Sequence, residues 1–481
     1  MTIYTPNLEG RAGPKYRRIA DAVAEDVRRG MLEPGTKLPT HRDLAYRVGV
    51  TVGTVTRAYQ ELQRRNITGG RVGSGTYVRD PGYENQVFPV LARPVAPGDR
   101  PELAHSPVAD GHIDLSMNRL TPGPEAEALA QTLADLSLSD NLSLLTQYNP
   151  APGIPHHREA MAQLLGDAGL DCTGDDIILT SGAQHAMAAV TLALLQAGDQ
   201  VLTEALTYPG MTSLAAHLGA QARPVAMDEY GMRPDALEAA VRATNARVVY
   251  LMPIHQNPTT VTMNKARLKD IARIAQAYDL VVIEDDIYGF QPAHREVPLA
   301  QLAPEHTVYI SGFAKSISPG LRVGCIKAPK ALFTPIVQGV QITGWMIPPL
   351  MGEIAARWIN EGTARDLIEW HREETRARHA IAVEVLDGFS FKAGPECLHL
   401  WLDLPEGHHA DDDIRELRSL GVILAGPESF ITTQATVPRA LRLCLGSPPS
   451  REQLRTALER IRQVLTATPV MGLAKLDMMV M

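Results

Sequence analysis

The sequence predicts an α/β protein in two unequal parts: a small three-helix module closed by a β-hairpin, and a large, mainly parallel, doubly wound sheet followed by a smaller α+β piece. Three observations carry this expectation. Short β-rich runs alternate with amphipathic helical patterns from about residue 112 onward, helical periodicity in the first 80 residues ends in a glycine-rich hairpin, and a run of prolines separates the two. At 481 residues and 45 % apolar content, the chain is too long for one ordinary domain and apolar enough to bury a large core.

Within the first part, Ile19, Val23 and Val27 recur at helical spacing across Lys15 to Gly30, and Pro34-Gly35 marks a turn. Further helices are expected from about Thr40 to Val48 and from Thr51 to Arg65, with Thr40 and Thr51 as N-caps. Arg71-Val72-Gly73-Ser74-Gly75-Thr76-Tyr77-Val78 reads as a hairpin whose glycines permit a tight turn. Three helices and a hairpin make the winged-helix plan, bounded here at residues 12–80. Residues 81–111 carry six prolines and few periodic apolar positions, a semi-rigid linker able to reach on the order of 90 Å when extended. Beyond it, in 112–466, strands are expected at Ile177–Thr180, Val201–Glu204, Val248–Met252, Val281–Asp285, Val308–Ser311 and Val323–Lys327. The smaller piece, about 349–466, should hold one long helix to about 385, strands near 398–403 and 440–445, and a final helix near 451–465. The Met-rich tail after 467 carries no pattern.

Charge divides along the same line. Residues 1–80 hold 14 Lys and Arg against 8 Asp and Glu, while the chain as a whole carries −8, so a basic module sits on an acidic body, as a nucleic-acid-binding domain joined to a soluble enzyme-like domain would. Cys172, Cys325, Cys397 and Cys444 lie far apart with no C-x-x-C pair, which argues against a disulfide framework or a zinc site and for core thiols in a reducing cytoplasm; no metal is expected. The N-terminus lacks the basic-then-apolar pattern of a signal peptide. The longest uncharged stretch, Ala331 to Gly352, is broken by Pro335, Pro348 and Pro349, so no membrane span is expected.

Thr51, Gly53, Thr54 and Arg57 open the third helix, where amides, hydroxyls and a cation can meet phosphates and base edges in a major groove; Arg42 opens the second helix and Arg71 the wing. Alone, Arg42 and Arg57 would read as solvated surface charges. Lys15 to Val78, however, resembles the GntR family of winged-helix repressors through Pro34-Gly35, Leu38-Pro39-Thr40-x-Arg42-Asp43-Leu44-Ala45 and Gly73-Ser74-Gly75-Thr76. The resemblance implies that these six positions contact a double-stranded DNA operator. Val52 departs from the arginine common at that point of the family and cannot form a bidentate contact with guanine, so a different base preference is expected.

From about 113 to 446 the chain carries, in order, a series of short marks, each weak by itself. Ser181-Gly182-Ala183-Gln184 links a strand to a helix whose free N–H groups suit a phosphate. Tyr148 lies five residues before Gly153, Tyr208 lies in Thr207-Tyr208-Pro209-Gly210, and Asn257-Pro258 follows a strand. Asp285 and Tyr288 follow Val281–Ile283, Lys315 lies in Ser311-Gly312-Phe313-Ala314-Lys315-Ser316, Arg322 in Pro319-Gly320-Leu321-Arg322-Val323-Gly324, and Arg442 in Leu441-Arg442-Leu443-Cys444. The acids 284–286 alone would read as a solvated turn, Tyr208 as core and Arg442 as an ordinary strand residue. As a series they resemble fold-type-I aminotransferases, with a large and a small domain. The resemblance implies pyridoxal 5'-phosphate on Lys315, its phosphate held by 181–184 and Arg322, its ring stacked on Tyr208 and held by Asn257, Asp285 and Tyr288. It further implies that Tyr148 reaches the partner subunit's phosphate and that Arg442 forks onto a ligand carboxylate. His399, on an apolar strand, reads as a satisfied core histidine. Gly312 replaces a hydroxyl residue common in the family, so one phosphate hydroxyl is missing or comes from Ser311.

Together the two halves resemble the MocR subfamily of GntR-type regulators, over about residues 15–465. That resemblance implies a head-to-tail homodimer, an amine or amino-acid effector sensed through an aldimine at Lys315, and a signal carried by binding rather than turnover. The competing reading is a genuine aminotransferase with an accessory DNA-binding module. A third is a DNA-binding protein whose large domain is only a dimerisation scaffold.

Overall fold

The computed structural model describes residues 4–8, 13–32, 36–64, 67–71, 75–78, 111–139, 142–432 and 437–467. The Pro34-Gly35 turn, the wing tip at 72–74, the proline-rich stretch before 111 and the Met-rich tail lie outside them. The chain divides into two compact units, residues 1–96 and 97–481.

The first unit consists of helices Lys15–Arg28, His41–Val48 and Val52–Arg64 and an antiparallel pair, Thr68–Arg71 with Gly75–Val78. Thr40 caps the second helix by accepting the Asp43 N–H at 3.2 Å, and Thr51 caps the third by accepting that of Thr54 at 3.3 Å, each satisfying a helix-end donor. The apolar stripes of all three helices meet in one core around Ile19, Val23, Leu44, Val55, Tyr59 and Leu62. The Tyr59 hydroxyl, buried in that core, donates to the Pro39 carbonyl at 2.8 Å and ties the third helix to the start of the second.

The second unit is built on a seven-stranded sheet in the order Ile177–Thr180, Gly324–Lys327, Thr307–Gly312, Val281–Asp285, Val248–Leu251, Gln200–Glu204, Gln221–Val225. Gly324–Lys327 runs antiparallel to both neighbours, and the pairings among the other strands are parallel. Its middle strands are buried on both faces and carry apolar runs such as Val248–Leu251 and Val281–Ile283, which is why they were legible. The last strand, Gln-Ala-Arg-Pro-Val, was not foreseen: its proline and mixed polarity suit only an edge, where it lies. The expected single helix to 385 is two, Pro349–Asn360 and Thr363–Val385, interrupted at Gly362.

A three-stranded antiparallel sheet, Phe391–Lys392, His399–Asp403 and Ala440–Cys444, packs under Thr363–Val385 and Arg451–Thr466. Ile113–Asp114 pairs in parallel with Val422–Ile423, and Ile113 and Leu115 are buried in this same C-terminal core. Arg378, 1 % exposed, secures the long helix by pairing with Glu374 at 2.6 Å and donating to the Leu445 and Pro448 carbonyls at 2.9 and 2.8 Å. No helix among the described residues is long and apolar enough to cross a membrane.

Candidate functional site

In an open parallel sheet the strand carboxyl ends share one edge, and ligands bind there. Glu204, Asp285 and the turn after Gly312 all end strands of this sheet, and Asn257 follows another after six residues. Asp285 is buried, accepting the Tyr250 hydroxyl at 2.7 Å and the Ile287 N–H at 3.3 Å. Burial pushes its carboxyl up to about 6, against the lowering effect of those bonds. A buried carboxylate in this state gains from a protonated ring nitrogen beside it. Three residues on, Tyr288 is buried with its hydroxyl accepting from the Asn118 amide at 2.9 Å, and its pKa is raised by burial.

Lys315 closes a short 3₁₀ turn, Phe313–Lys315. Burial pulls its ammonium down to about 8; Arg442 and Arg322 push the same way, while Cys444 and Asp285 oppose. A lysine so placed is partly neutral near physiological pH, as an amine that attacks a carbonyl must be. Its Nζ donates to the Asn118 carbonyl.

Gly182 precedes the helix Ala183–Leu194 with φ +91°, and a Cβ there would lie 2.7 Å from Nη2 of Arg322. The turn and the arginine therefore form one cradle: free helix amides on one side, a guanidinium on the other, both suited to a phosphate. Gln184 accepts the Tyr208 hydroxyl at 3.0 Å, setting that ring at the mouth of the cradle. His185, also unforeseen, accepts the Ser181 N–H at 3.0 Å and meets the Thr343 hydroxyl at 2.7 Å. Ser311 does not supply the missing phosphate hydroxyl: it is buried and donates to the Asp286 carbonyl at 3.2 Å. Gly312 has a steric reason, since a Cβ would meet the Val323 carbonyl oxygen at 2.8 Å.

Arg442 lies on the strand Ala440–Cys444 with its guanidinium 4.5 Å from the Phe430 ring centroid. Nη1 donates to Asn257 Oδ1 at 2.8 Å, Nη2 donates to the Ser116 carbonyl, and Nε is buried without a hydrogen-bond partner among the described residues. His399, wholly buried, has a partner on each ring nitrogen, the Asn118 amide at 2.8 Å and the Gln256 carbonyl at 3.4 Å. It is a satisfied histidine, as expected, though in the wall of the site rather than remote from it. Its pKa is lowered by burial.

Thus hydrogen bonds through Asn118, Ser116 and Asn257 join Tyr288, Lys315 and Arg442 around one region, Asp285 interacts electrostatically with Lys315, and Gly182 closely approaches Arg322. Tyr148 stands apart: it is 84 % exposed, its ring 6.0 Å from that of Trp345, and no hydrogen bond among the described residues joins it to the others. Asn118 and Ser116 had no sequence signal, being separated from Tyr288 and Arg442 by 170 and 326 positions. Glu204 and Gln256 were missed too. Glu204 is wholly buried, accepts Gln256 Nε2 at 3.1 Å and the Met252 N–H at 3.3 Å, and is raised to about 8 by burial. A glutamate ending the strand after Val201 and Leu202 was its only trace.

The residues fit pyridoxal 5'-phosphate: a cradle that a Cβ would fill, a buried carboxylate for a ring cation, and a partly neutral lysine that interacts electrostatically with both. Away from this site, His156 and His157 both meet Glu353 Oε2 at 2.8 Å, a donor set that could hold a metal ion; Glu353 also pairs with Arg357 at 2.9 Å, and hydrogen bonds from His157, His156 and Arg357 hold its carboxyl well below the usual range against its burial.

In the first unit, Lys15, Tyr16, Thr51, Gly53, Thr54 and Arg57 line a cleft of about 270 Å³. Thr51 and Thr54 hydroxyls lie 2.9 Å apart, and the Arg57 guanidinium sits 4.9 Å from the Tyr16 centroid. Lys15 and Tyr16 come from the first helix and were not foreseen. Arg42 is exposed at the start of the second helix, Val52 is 44 % exposed, and Arg71 lies in the first strand of the hairpin opposite Gly75.

These features define a helix-turn-helix regulator joined to an aminotransferase-like domain. Residues 15–78 match the bacterial regulatory proteins of the gntR family and residues 111–461 match aminotransferase class I and II. The chain belongs to the aminotransferase class I and II family and, with its GntR domain, to the MocR type of HTH-type transcriptional regulators. It is similar to the HTH-type transcriptional regulators YjiR of Escherichia coli, 31 % identical over 94 % of this chain and 98 % of the relative, and YdeF of Bacillus subtilis, 28 % identical over 96 % of each. In structure it is similar to an archaeal alanine:glyoxylate aminotransferase, with TM-score 0.69 and 25 % identity over 74 % of this chain and 91 % of that one.

Proposed function

We propose that this chain is a pyridoxal-phosphate-dependent transcription regulator that senses an amine or amino acid and changes its grip on an operator. The observation that carries the reading is the convergence of Lys315, Asp285, Tyr288, Asn257 and Arg442 in one buried region of a chain whose other unit is a GntR domain. Lys315 would carry the cofactor, Gly182, the Ala183 helix terminus and Arg322 its phosphate, Tyr208 one face of its ring, and Asp285 the ring nitrogen. When bound, the cofactor supplies an aldehyde carbon able to take an amine and a ring able to accept electrons.

The chain's own groups do the rest. Asp285, once beside a ring cation, is held ionised. Burial keeps Lys315 available as a neutral amine when an incoming amine displaces it. Arg442 presents a planar fork to a carboxylate, which favours amino acids over simple amines. Domain extents of 12–80 for DNA binding, 81–111 for the linker and 112–466 for the cofactor domain, with its small part at about 349–466, belong to this proposal. So does a cytoplasmic homodimer in which the exposed Tyr148 reaches the partner's site.

Lys315→Ala should abolish the borohydride-reducible cofactor adduct and the absorbance near ~420 nm that such an adduct gives. In the intact protein, the cognate amine should shift that absorbance and alter affinity for the gene's own upstream DNA by about 1–3 kcal/mol. Arg442→Ala should lose the response to an amino acid while keeping cofactor and basal DNA binding. Steady transamination at about 1–1000 per second with no effect on DNA binding would favour an enzyme with an accessory module instead.

A further inference from the structure

Two groups of the site, one assigned above to the cofactor and one to the ligand's carboxylate, are held by backbone oxygens of one short segment in the cofactor-free chain. The Ser116 carbonyl accepts from Arg442 Nη2, and the Asn118 carbonyl accepts from Lys315 Nζ. The segment is anchored at both ends. Upstream, the Ile113 and Leu115 N–H groups donate to the Gly421 and Ile423 carbonyls at 2.7 and 2.9 Å, and the Leu115 carbonyl accepts from the Cys444 N–H at 3.1 Å. Downstream, the Asn118 amide bridges the Tyr288 hydroxyl and His399. In sequence, this segment directly follows the proline-rich residues 81–111.

Resting on the function proposed above, we infer that Ile113–Asn118 is a strap within the effector site: its Ser116 carbonyl holds Arg442 in the resting protein, and a carboxylate-bearing amine that takes Arg442 releases it. Arg442 has the donors for this exchange. Nη1 stays with Asn257, while Nε, buried and without a hydrogen-bond partner among the described residues, and Nη2, held by Ser116, form the adjacent pair that a carboxylate takes side-on. A charged, bidentate acceptor outcompetes a single neutral carbonyl at such a pair. Release of Ser116 then frees the backbone just after the anchored pair Ile113–Asp114 with Val422–Ile423, five residues beyond the proline-rich stretch 81–111. The chain connection toward the DNA-binding unit leaves through the strap, so the ligand's carboxylate and the linker act on one short piece of backbone.

Two probes separate this mechanism from the reading beneath it. Aminooxyacetate and methoxyamine both exchange with Lys315 at the cofactor's carbonyl carbon, one C=N bond replacing another with release of the lysine amine and no change of oxidation state; only aminooxyacetate carries a carboxylate. With holoprotein, aminooxyacetate should speed amide hydrogen exchange in residues 115–121 at least fivefold and change affinity for the upstream DNA, whereas methoxyamine should do neither. Inserting eight Gly and Ser residues between Pro107 and Val108 should leave the absorbance change intact and reduce the DNA response to less than twofold. Unchanged exchange in 115–121 while absorbance reports the probe bound, or a full DNA response in the insertion variant, overturns the strap and leaves the cofactor reading standing. No absorbance change with either probe overturns the cofactor reading and the strap with it.

Discussion

Replacing Gly182 by Ala tests the phosphate cradle, because two separable costs follow from one methyl group. The backbone there has φ +91° and ψ 164°, a region essentially reserved for glycine, and holding alanine in it costs about 1–3 kcal/mol whether or not cofactor is bound. The second cost falls on binding alone. The new Cβ would lie 2.7 Å from Arg322 Nη2, where ordinary contact begins at 3.4 Å, so the guanidinium must retreat by about 0.7 Å from its place beside the helix terminus. Losing one hydrogen bond to a charged group costs about 1.5–3 kcal/mol, which corresponds to roughly 10- to 150-fold in cofactor affinity. Thermal unfolding of the cofactor-free protein reads the first cost, and titration with pyridoxal 5'-phosphate followed by absorbance reads the second. Arg322→Ala and the double variant complete a cycle in which, if the methyl acts through Arg322, the two losses of affinity are far from additive. A Gly182→Ala protein that is folded and binds cofactor within twofold of the parent would refute the cradle.

Three further outcomes follow from the same geometry. Since burial holds Lys315 near 8, the rate at which cofactor-free protein takes up pyridoxal 5'-phosphate should rise with pH and level off just above 8; a rate still climbing at pH 10 would show that Lys315 is not desolvated. Glu204 is raised to about 8 by burial, so its protonated form contributes stability that is complete below about 4.5 and lost as pH rises to 8. Cofactor-free Glu204→Gln should therefore show a flatter decline of stability over pH 5–8, by at most about 1.4 kcal/mol per pH unit, and an unaltered slope would place the titrating group elsewhere. In the first unit, Tyr59→Phe removes a buried donor from the Pro39 carbonyl and should cost about 0.5–1.5 kcal/mol in chemical denaturation, while Arg42→Ala and Arg57→Ala should leave stability within ~0.5 kcal/mol and each lower the salt slope of DNA binding by about one. Unchanged DNA binding in both arginine variants would rule out this docking face.

Local patterns were legible because they are enforced locally. The helix caps at Thr40 and Thr51 follow from the orphan donors of a helix end, and the continuous apolar runs at Val248–Leu251 and Val281–Ile283 follow from burial on both sheet faces. Where one residue was asked to carry a structural decision, the reading was weaker. The helix expected to run to 385 breaks at Gly362, and the edge strand Gln221–Val225 has no pattern beyond a proline that an edge tolerates.

By itself, the sequence determined the fold class, the two-part plan and the residue types at each strand end, because spacing of 2 and 3.6 and the order of short motifs survive without knowledge of contacts. Tertiary structure alone decided which groups face one another. It put Asn118 between Tyr288 and His399, turned Ser311 toward Asp286 instead of the cradle, buried Glu204 behind Gln256, and set the Ser116 carbonyl on Arg442. Those pairings span from 25 to 326 positions and cross from the start of the cofactor domain to its end. The physical reason is that burial makes unsatisfied polar groups costly but does not say in sequence where their partners come from; only packing of the strand ends against the C-terminal sheet supplies them.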